Sequence, residues 1–129
     1  QNLKKGQEKQ AVADSFGINQ LHILENWMFC FSSLRNICAH HGRLWNRRFA
    51  AQIKLPYNTQ STFLNKSEIK GIYPNKLYAA LCAVKYMLNQ IDAANGFSQE
   101  LKNTIAQCPR GQDKEMGFVK NWDQHPLWN

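Results

Sequence analysis

The chain has 129 residues, room for one domain with one modest core. Hydrophobic residues make up 43% and aromatics 12%, which argues against a disordered chain. With 16 Lys and Arg against 9 Asp and Glu, the formal charge is +7, a balance that suits a polyanionic partner such as nucleic acid. No apolar run approaches the roughly 20 residues that cross a bilayer, and no signal-peptide pattern is present, so no membrane association is expected. The four cysteines, Cys30, Cys38, Cys82 and Cys108, form no CxxC pair and suggest no disulfide framework; this usage fits a reducing cytoplasm. A start at Gln1 rather than Met is expected of a part of a longer protein.

Residues 3–16 read as a short amphipathic helix, with Val12 and Phe16 four apart, Ala13 beside them and Gly17 just past the end. Asn19 is placed to cap a longer helix over about 20–42. Its stripe is Leu21, Leu24, Met28, Phe31, Leu34 and Cys38, widened by Ile23, Trp27 and Ile37, so this helix is expected to be central. Residues 43–73 are punctuated by Pro56, Asn58, Asn65, Gly71 and Pro74 and read as a long connection with one short helical turn. A helix over 75–91 follows Pro74, with Leu77, Leu81, Val84, Leu88 and Ile91 on one face and Ala80 and Tyr78 at its edges. Ser98 then caps a shorter helix whose face is Leu101, Ile105 and Cys108 and which Pro109 ends. The tail over 110–129 is aromatic and rich in turns, and Trp122 and Trp128 are expected to pack back on the helices. No stretch alternates like a strand, so the class is all-α, a single helical domain over 1–129.

The densest chemistry lies in residues 35–48, which hold four arginines, two histidines, two asparagines and a tryptophan. An arginine grips a phosphate through a forked pair of charge-assisted hydrogen bonds, and a histidine moves protons near neutral pH. On a straight helix Asn36, His40, Arg43 and Arg47 fall on one line at spacings of four, three and four. Arg35 lies about 140° around the axis from His40 and must reach in from the side. RNA brings its own nucleophile, the 2′-hydroxyl. An enzyme that cleaves it needs a proton acceptor, a proton donor and cations for the crowded phosphorane. One histidine performs one proton task at a time, so two copies of the motif in a homodimer would complete the set.

The same residues have plainer readings. His41 at a helix end would interact with the dipole, Leu44 and Trp45 would anchor a core, and Arg47 and Arg48 would form a solvated basic face. His22 and His125 have no supporting cluster and are assigned no role. Cys38, His40 and His41 lie too close along one helix to converge on a zinc ion with Cys30. No GxSxG, GxxxxGK[ST] or GxGxxG motif is present, so neither a metal nor a cofactor is expected.

Arg35-Asn36-x-x-x-His40 resembles the Arg-x4-His signature of HEPN domains, a helical superfamily rich in metal-independent ribonucleases. The string from Leu34 to Arg47 looks more specifically like the Abi-like family of bacterial abortive-infection proteins, the AbiD/AbiF type. So does the ending, Met116-Gly117-Phe118-x-x-x-Trp122 followed by Pro126-Leu127-Trp128. The resemblance covers about 20–128 and corresponds to the C-terminal part of a typical member. It implies a HEPN-like helical bundle in the bacterial cytoplasm and a role in phage defence or a toxin–antitoxin system. Arg35 and His40 would be the catalytic pair of an endoribonuclease. Asn36 would orient the site, and His41, Arg43 and Arg47 would contact RNA. Partners implied are RNA, a second copy at a composite site, and an antitoxin RNA or protein. Two other readings stand beside it: a non-catalytic RNA-binding module, recognisable by salt-sensitive binding that survives loss of His40, and a protein-interaction helical module in which Arg35 and His40 are buried and paired within one protomer.

Overall fold

The computed structural model describes residues 2–18, 20–39, 52–56, 59, 61–92, 94–108 and 111–128, without the side chains of 2–6, 9 and 36–39. The described residues form six α-helices and two short 3-10 helices, with no strand among them, so the chain is all-α as its patterning requires. The helices are α1 (Asn2–Ser15), α2 (Leu21–Ala39), α3 (Lys66–Lys70), α4 (Leu77–Ile91), α5 (Phe97–Ala106) and α6 (Gln112–Glu115). The 3-10 helices, Trp122–Gln124 and Pro126–Trp128, close the tail.

The stop of α1 follows from Gly17. Its φ of 69° lets Gly17 N–H reach the Asp14 carbonyl and Ile18 N–H reach that of Ala13, satisfying two helix-end acceptors. Ile18 is thereby driven into the core, and the Gly17 carbonyl accepts from Tyr86 Oη at 3.1 Å, tying the α1–α2 corner to α4. The short turn expected between 43 and 73 is α3. Asn65 caps it and Glu68 answers with its carboxylate on Asn65 N–H, a complete capping box.

The most enclosed helix is α4, and α2 packs between it and α1. The enclosed residues of α4 are Tyr78, Ala79, Ala80, Cys82, Ala83, Lys85 and Tyr86, while the expected face of Leu77, Leu81, Val84 and Leu88 is half-buried and Ile91 is exposed. Alanines and a cysteine let neighbouring backbone approach closely, and the two tyrosines fill the space at either end, so burial here follows small residues rather than large ones. Around Tyr86 gather Trp27 at 5.9 Å and Phe63 at 5.4 Å between ring centroids. Around Tyr78 gather Phe118 at 4.7 Å, Trp122 at 6.3 Å and Trp128 at 6.2 Å. The aromatic tail does pack back, on the N-terminal end of α4.

On α2 the buried side chains are Ile23, Leu24, Trp27 and Cys30. Met28, expected in the core stripe, is 43% exposed and its neighbour Phe29 is 64% exposed, because α1 and α4 cover only one side of the helix. Ser98 is not the cap of α5. The helix starts at Phe97 behind Gly96, two residues earlier than a Ser98 cap would place it, and the Asn95 side chain accepts from Phe97 N–H instead. The buried Ser98 hydroxyl has no hydrogen-bond partner among the described residues. Among the described residues no helix is long and apolar enough to cross a membrane.

Candidate functional site

Of the six residues singled out by the motif, Arg35 is the one whose side chain the structure describes. It stands exposed on the last turns of α2, four residues before the helix is last described at Ala39. The side chain of Asn36, and all of His40, His41, Arg43 and Arg47, lie outside the described residues. The one-line arrangement of Asn36, His40, Arg43 and Arg47 therefore lies outside them too. Exposure of Arg35 bears on the protein-interaction reading, which needed that guanidinium buried and paired within the protomer.

The chain after the motif is held firmly where it is next described. Asn26 Nδ2 donates to the Gln52 carbonyl at 3.1 Å, and Asn26 Oδ1 accepts from Lys54 N–H at 2.7 Å. One side-chain amide thus stands in for a strand edge, matching a donor and an acceptor of an extended segment. Trp27 Nε1–H adds a bond to the Lys54 carbonyl at 2.7 Å, and Ile53, buried between them, donates its N–H to the Pro74 carbonyl at 3.0 Å. Consequently α2 positions both flanks of the motif: Arg35 near its C-terminal end and residues 52–54 beside its middle. Leu34, next to Arg35, shares a small pocket with Ile53, Pro74, Lys76 and Ala80, which brings this end of α2 to the first turn of α4.

A groove of about 600 Å³ opens on another side of that same first turn. One wall is the α3 region, with Leu64, Ser67, Glu68, Gly71 and Ile72; the other is the tail, with Val119, Lys120, Asn121, Trp122 and His125; Tyr78 lies at its base. The volume is that of an ordinary ligand site. His125 Nε2 and Glu68 Oε2 join the walls at 2.7 Å. Leu127 N–H donates to His125 Nδ1 at 3.0 Å, so the hydrogen-bond network assigns the proton to Nε2, which donates to the carboxylate. Burial pushes the Glu68 carboxyl up, but the hydrogen bonds from Asn65 N–H and His125 outweigh it and hold the group below its ordinary value. Lys120 and Asn121 are exposed at the rim, and Asn121 adopts a left-handed backbone with φ 60°, a conformation asparagine tolerates.

Sequence reasoning assigned His125 nothing. Half of its pairing was legible, since Asn65-x-x-Glu68 is a capping-box pattern; the other half depends on a tail that folds back across the chain. The buried thiols are not nucleophiles. Burial pushes Cys82 up to about 12 and raises Cys30, so both stay protonated near neutral pH and act as small apolar groups. Lys85 is an unforeseen buried cation: its Nζ donates to Asn95 Oδ1 at 3.0 Å, and burial followed by repulsion from Lys102 lowers its pKa.

The family model described as Abi-like protein matches residues 1–46. This span takes in α1, α2 and the motif from Arg35 to Asn46, about a third of the chain. It reaches further toward the N-terminus than the resemblance expected from about residue 20, and it stops before the Met116–Trp128 ending. No curated protein and no solved structure matches the chain.

Proposed function

We propose, from the similarity of residues 1–46 to Abi-like proteins, that this chain serves in abortive infection as a metal-independent endoribonuclease of the HEPN type. The observation that carries the reading is the placement of Arg35: exposed at the end of α2, inside the matched span, and five residues ahead of His40. In this mechanism the Arg35 guanidinium binds the scissile phosphate and the charge that grows on it. His40 takes the 2′-hydroxyl proton or returns one to the leaving oxygen. Asn36 orients the phosphate, and His41, Arg43 and Arg47 hold the flanking RNA backbone. The second proton-transfer group comes from a second copy. Met28 and Phe29, exposed on the outer side of α2 less than two turns before Arg35, favour that pairing by offering an uncovered apolar surface. The setting is the bacterial cytoplasm, with an antitoxin RNA or protein restraining the activity.

The test is cleavage of single-stranded RNA by the full chain in excess EDTA. Arg35→Ala and His40→Ala are each expected to slow cleavage by about a hundredfold or more while leaving the thermal melt intact. Equal rates for wild type and both variants would overturn the reading. RNA binding that weakens steeply with salt and survives His40→Ala, with no cleavage by the wild type, would mark a non-catalytic RNA-binding module instead.

A further inference from the structure

We propose that the groove between α3 and the tail binds a guanine base through its Watson–Crick edge, with Glu68 as the acceptor. The shape comes first: about 600 Å³, floored by Tyr78 and walled by apolar Leu64, Ile72 and Val119. A flat heteroaromatic ring fits such a slot, since its faces need apolar cover and only its edge needs hydrogen bonds. Among the polar side chains that line the slot, with Ser67, Asn121, Gln124 and His125, the Glu68 carboxylate is fixed from two sides. Asn65 N–H holds Oε1 at 2.8 Å and His125 holds Oε2 at 2.7 Å, so the side chain is oriented before any ligand arrives. A carboxylate offers about four lone-pair positions, and these two bonds occupy two of them. The Glu68 side chain remains 35% exposed, on the groove.

The chemistry of that acceptor selects the base. A carboxylate accepts and does not donate. Guanine places two donors side by side, N1–H and the 2-amino group. Adenine and cytosine each place a ring nitrogen acceptor beside their amino group, and uracil flanks its one N–H with two carbonyls. Each of those three would set a lone pair against the Glu68 oxygens, where guanine sets none. Lys120 at the rim supplies a cation where the phosphate of the same nucleotide emerges. The placement also suits RNA: the groove and the Arg35 end of α2 flank the same first turn of α4, through Tyr78 in one case and Lys76 and Ala80 in the other. In that respect the inference rests on the ribonuclease reading, since it supplies a base pocket beside a cleavage site.

The experiment titrates the four nucleoside monophosphates into the full chain, read by NMR shifts of the His125 and Trp122 ring resonances. Guanosine monophosphate is expected to bind about tenfold or more tighter than the other three. Glu68→Gln keeps a capping-box residue but replaces one acceptor with a donor, and should erase the preference while the protein still melts cooperatively. Val119→Phe narrows the slot without touching Glu68 and should weaken all guanine binding. Equal binding of the four nucleotides, no shift of the groove resonances, or a preference that survives Glu68→Gln would each overturn the proposal. Oligonucleotides with and without guanosine locate the source. A preference confined to the mononucleotide assigns the groove to free guanine nucleotide; one seen in both assigns it to RNA. Guanine preference without cleavage by any form would fail the ribonuclease reading and leave the groove standing, whereas cleavage with no groove shift would do the reverse.

Discussion

His125 and Glu68, far apart in sequence, meet at 2.7 Å and pin the C-terminal tail to the cap of α3. Each is doubly engaged: Glu68 also accepts from Asn65 N–H at 2.8 Å, and His125 also accepts from Leu127 N–H at 3.0 Å. Loss of either side chain therefore loosens two elements together.

The pair makes a pH prediction with a definite sign. The folded protein holds the Glu68 carboxyl below its ordinary value of 4.5, so the folded state binds that proton less readily than the unfolded chain. Its contribution to stability is fully present above that value and disappears as pH falls below 4.5 through the folded-state pKa. Melting temperatures of wild type and Glu68→Gln, followed from pH 6 to pH 3, should converge at the acid end (approximate limits set by the carboxylate range). A gap that stays constant over the range would refute the assignment.

Gly117 is predicted to be irreplaceable. Its φ is 88°, and a Cβ there would stand 2.8 Å from Lys76 Cβ, where the tail turns against the cap of α4. Gly117→Ala meets both a left-handed backbone and a clash, and should cost about 2 kcal/mol or more in urea unfolding. A loss under about 0.5 kcal/mol would contradict the described turn.

Tyr86→Phe removes a single oxygen from the core. The Gly17 carbonyl, which closes the α1–α2 corner, then loses its buried donor at 3.1 Å. The expected cost is about 1–2 kcal/mol, with the change in amide exchange concentrated at Gly17 and Ile18.

Asn26→Ala tests how the chain returns after the motif. It deletes both bonds to residues 52–54, while the Trp27 bond to the Lys54 carbonyl remains. We expect a loss of about 1–2 kcal/mol and faster exchange of the Lys54 amide. RNA cleavage should fall as well if docking of 52–54 helps to set the position of His40; unchanged cleavage with a looser Lys54 would separate the two.

Ser98→Ala should stabilise the protein, by about 1 kcal/mol. The hydroxyl is buried with no partner among the described residues, so its removal ends a desolvation cost and places a better helix former in α5. A destabilised variant would reveal a partner for that oxygen.

Several elements could be read directly from the chain because their causes are local. Gly17 ends α1 by its own φ, Asn65 and Glu68 cap α3 across three residues, and the class follows from apolar spacing without strand alternation. The placement of Arg35 near the end of a helix was legible for the same reason. Which face each helix buries was legible only in part: Ile23, Leu24 and Trp27 of α2 are buried and Leu101, Ile105 and Cys108 of α5 pack on the core as expected, while α4 turns another face inward. Periodicity shows that α2 and α4 have apolar stripes, but burial depends on what packs against them. Close packing brought the alanine side of α4 inward and left Met28 of α2 outside. The groove belongs to this second kind. Glu68 and His125 come together only when the tail's tryptophans fold onto Tyr78, an association set by apolar burial between residues far apart in sequence. Short-range sterics and hydrogen bonding thus decided the helices and the position of Arg35. Long-range packing alone decided that α4 would be the most enclosed helix and that a carboxylate and an imidazole would face each other across a cleft.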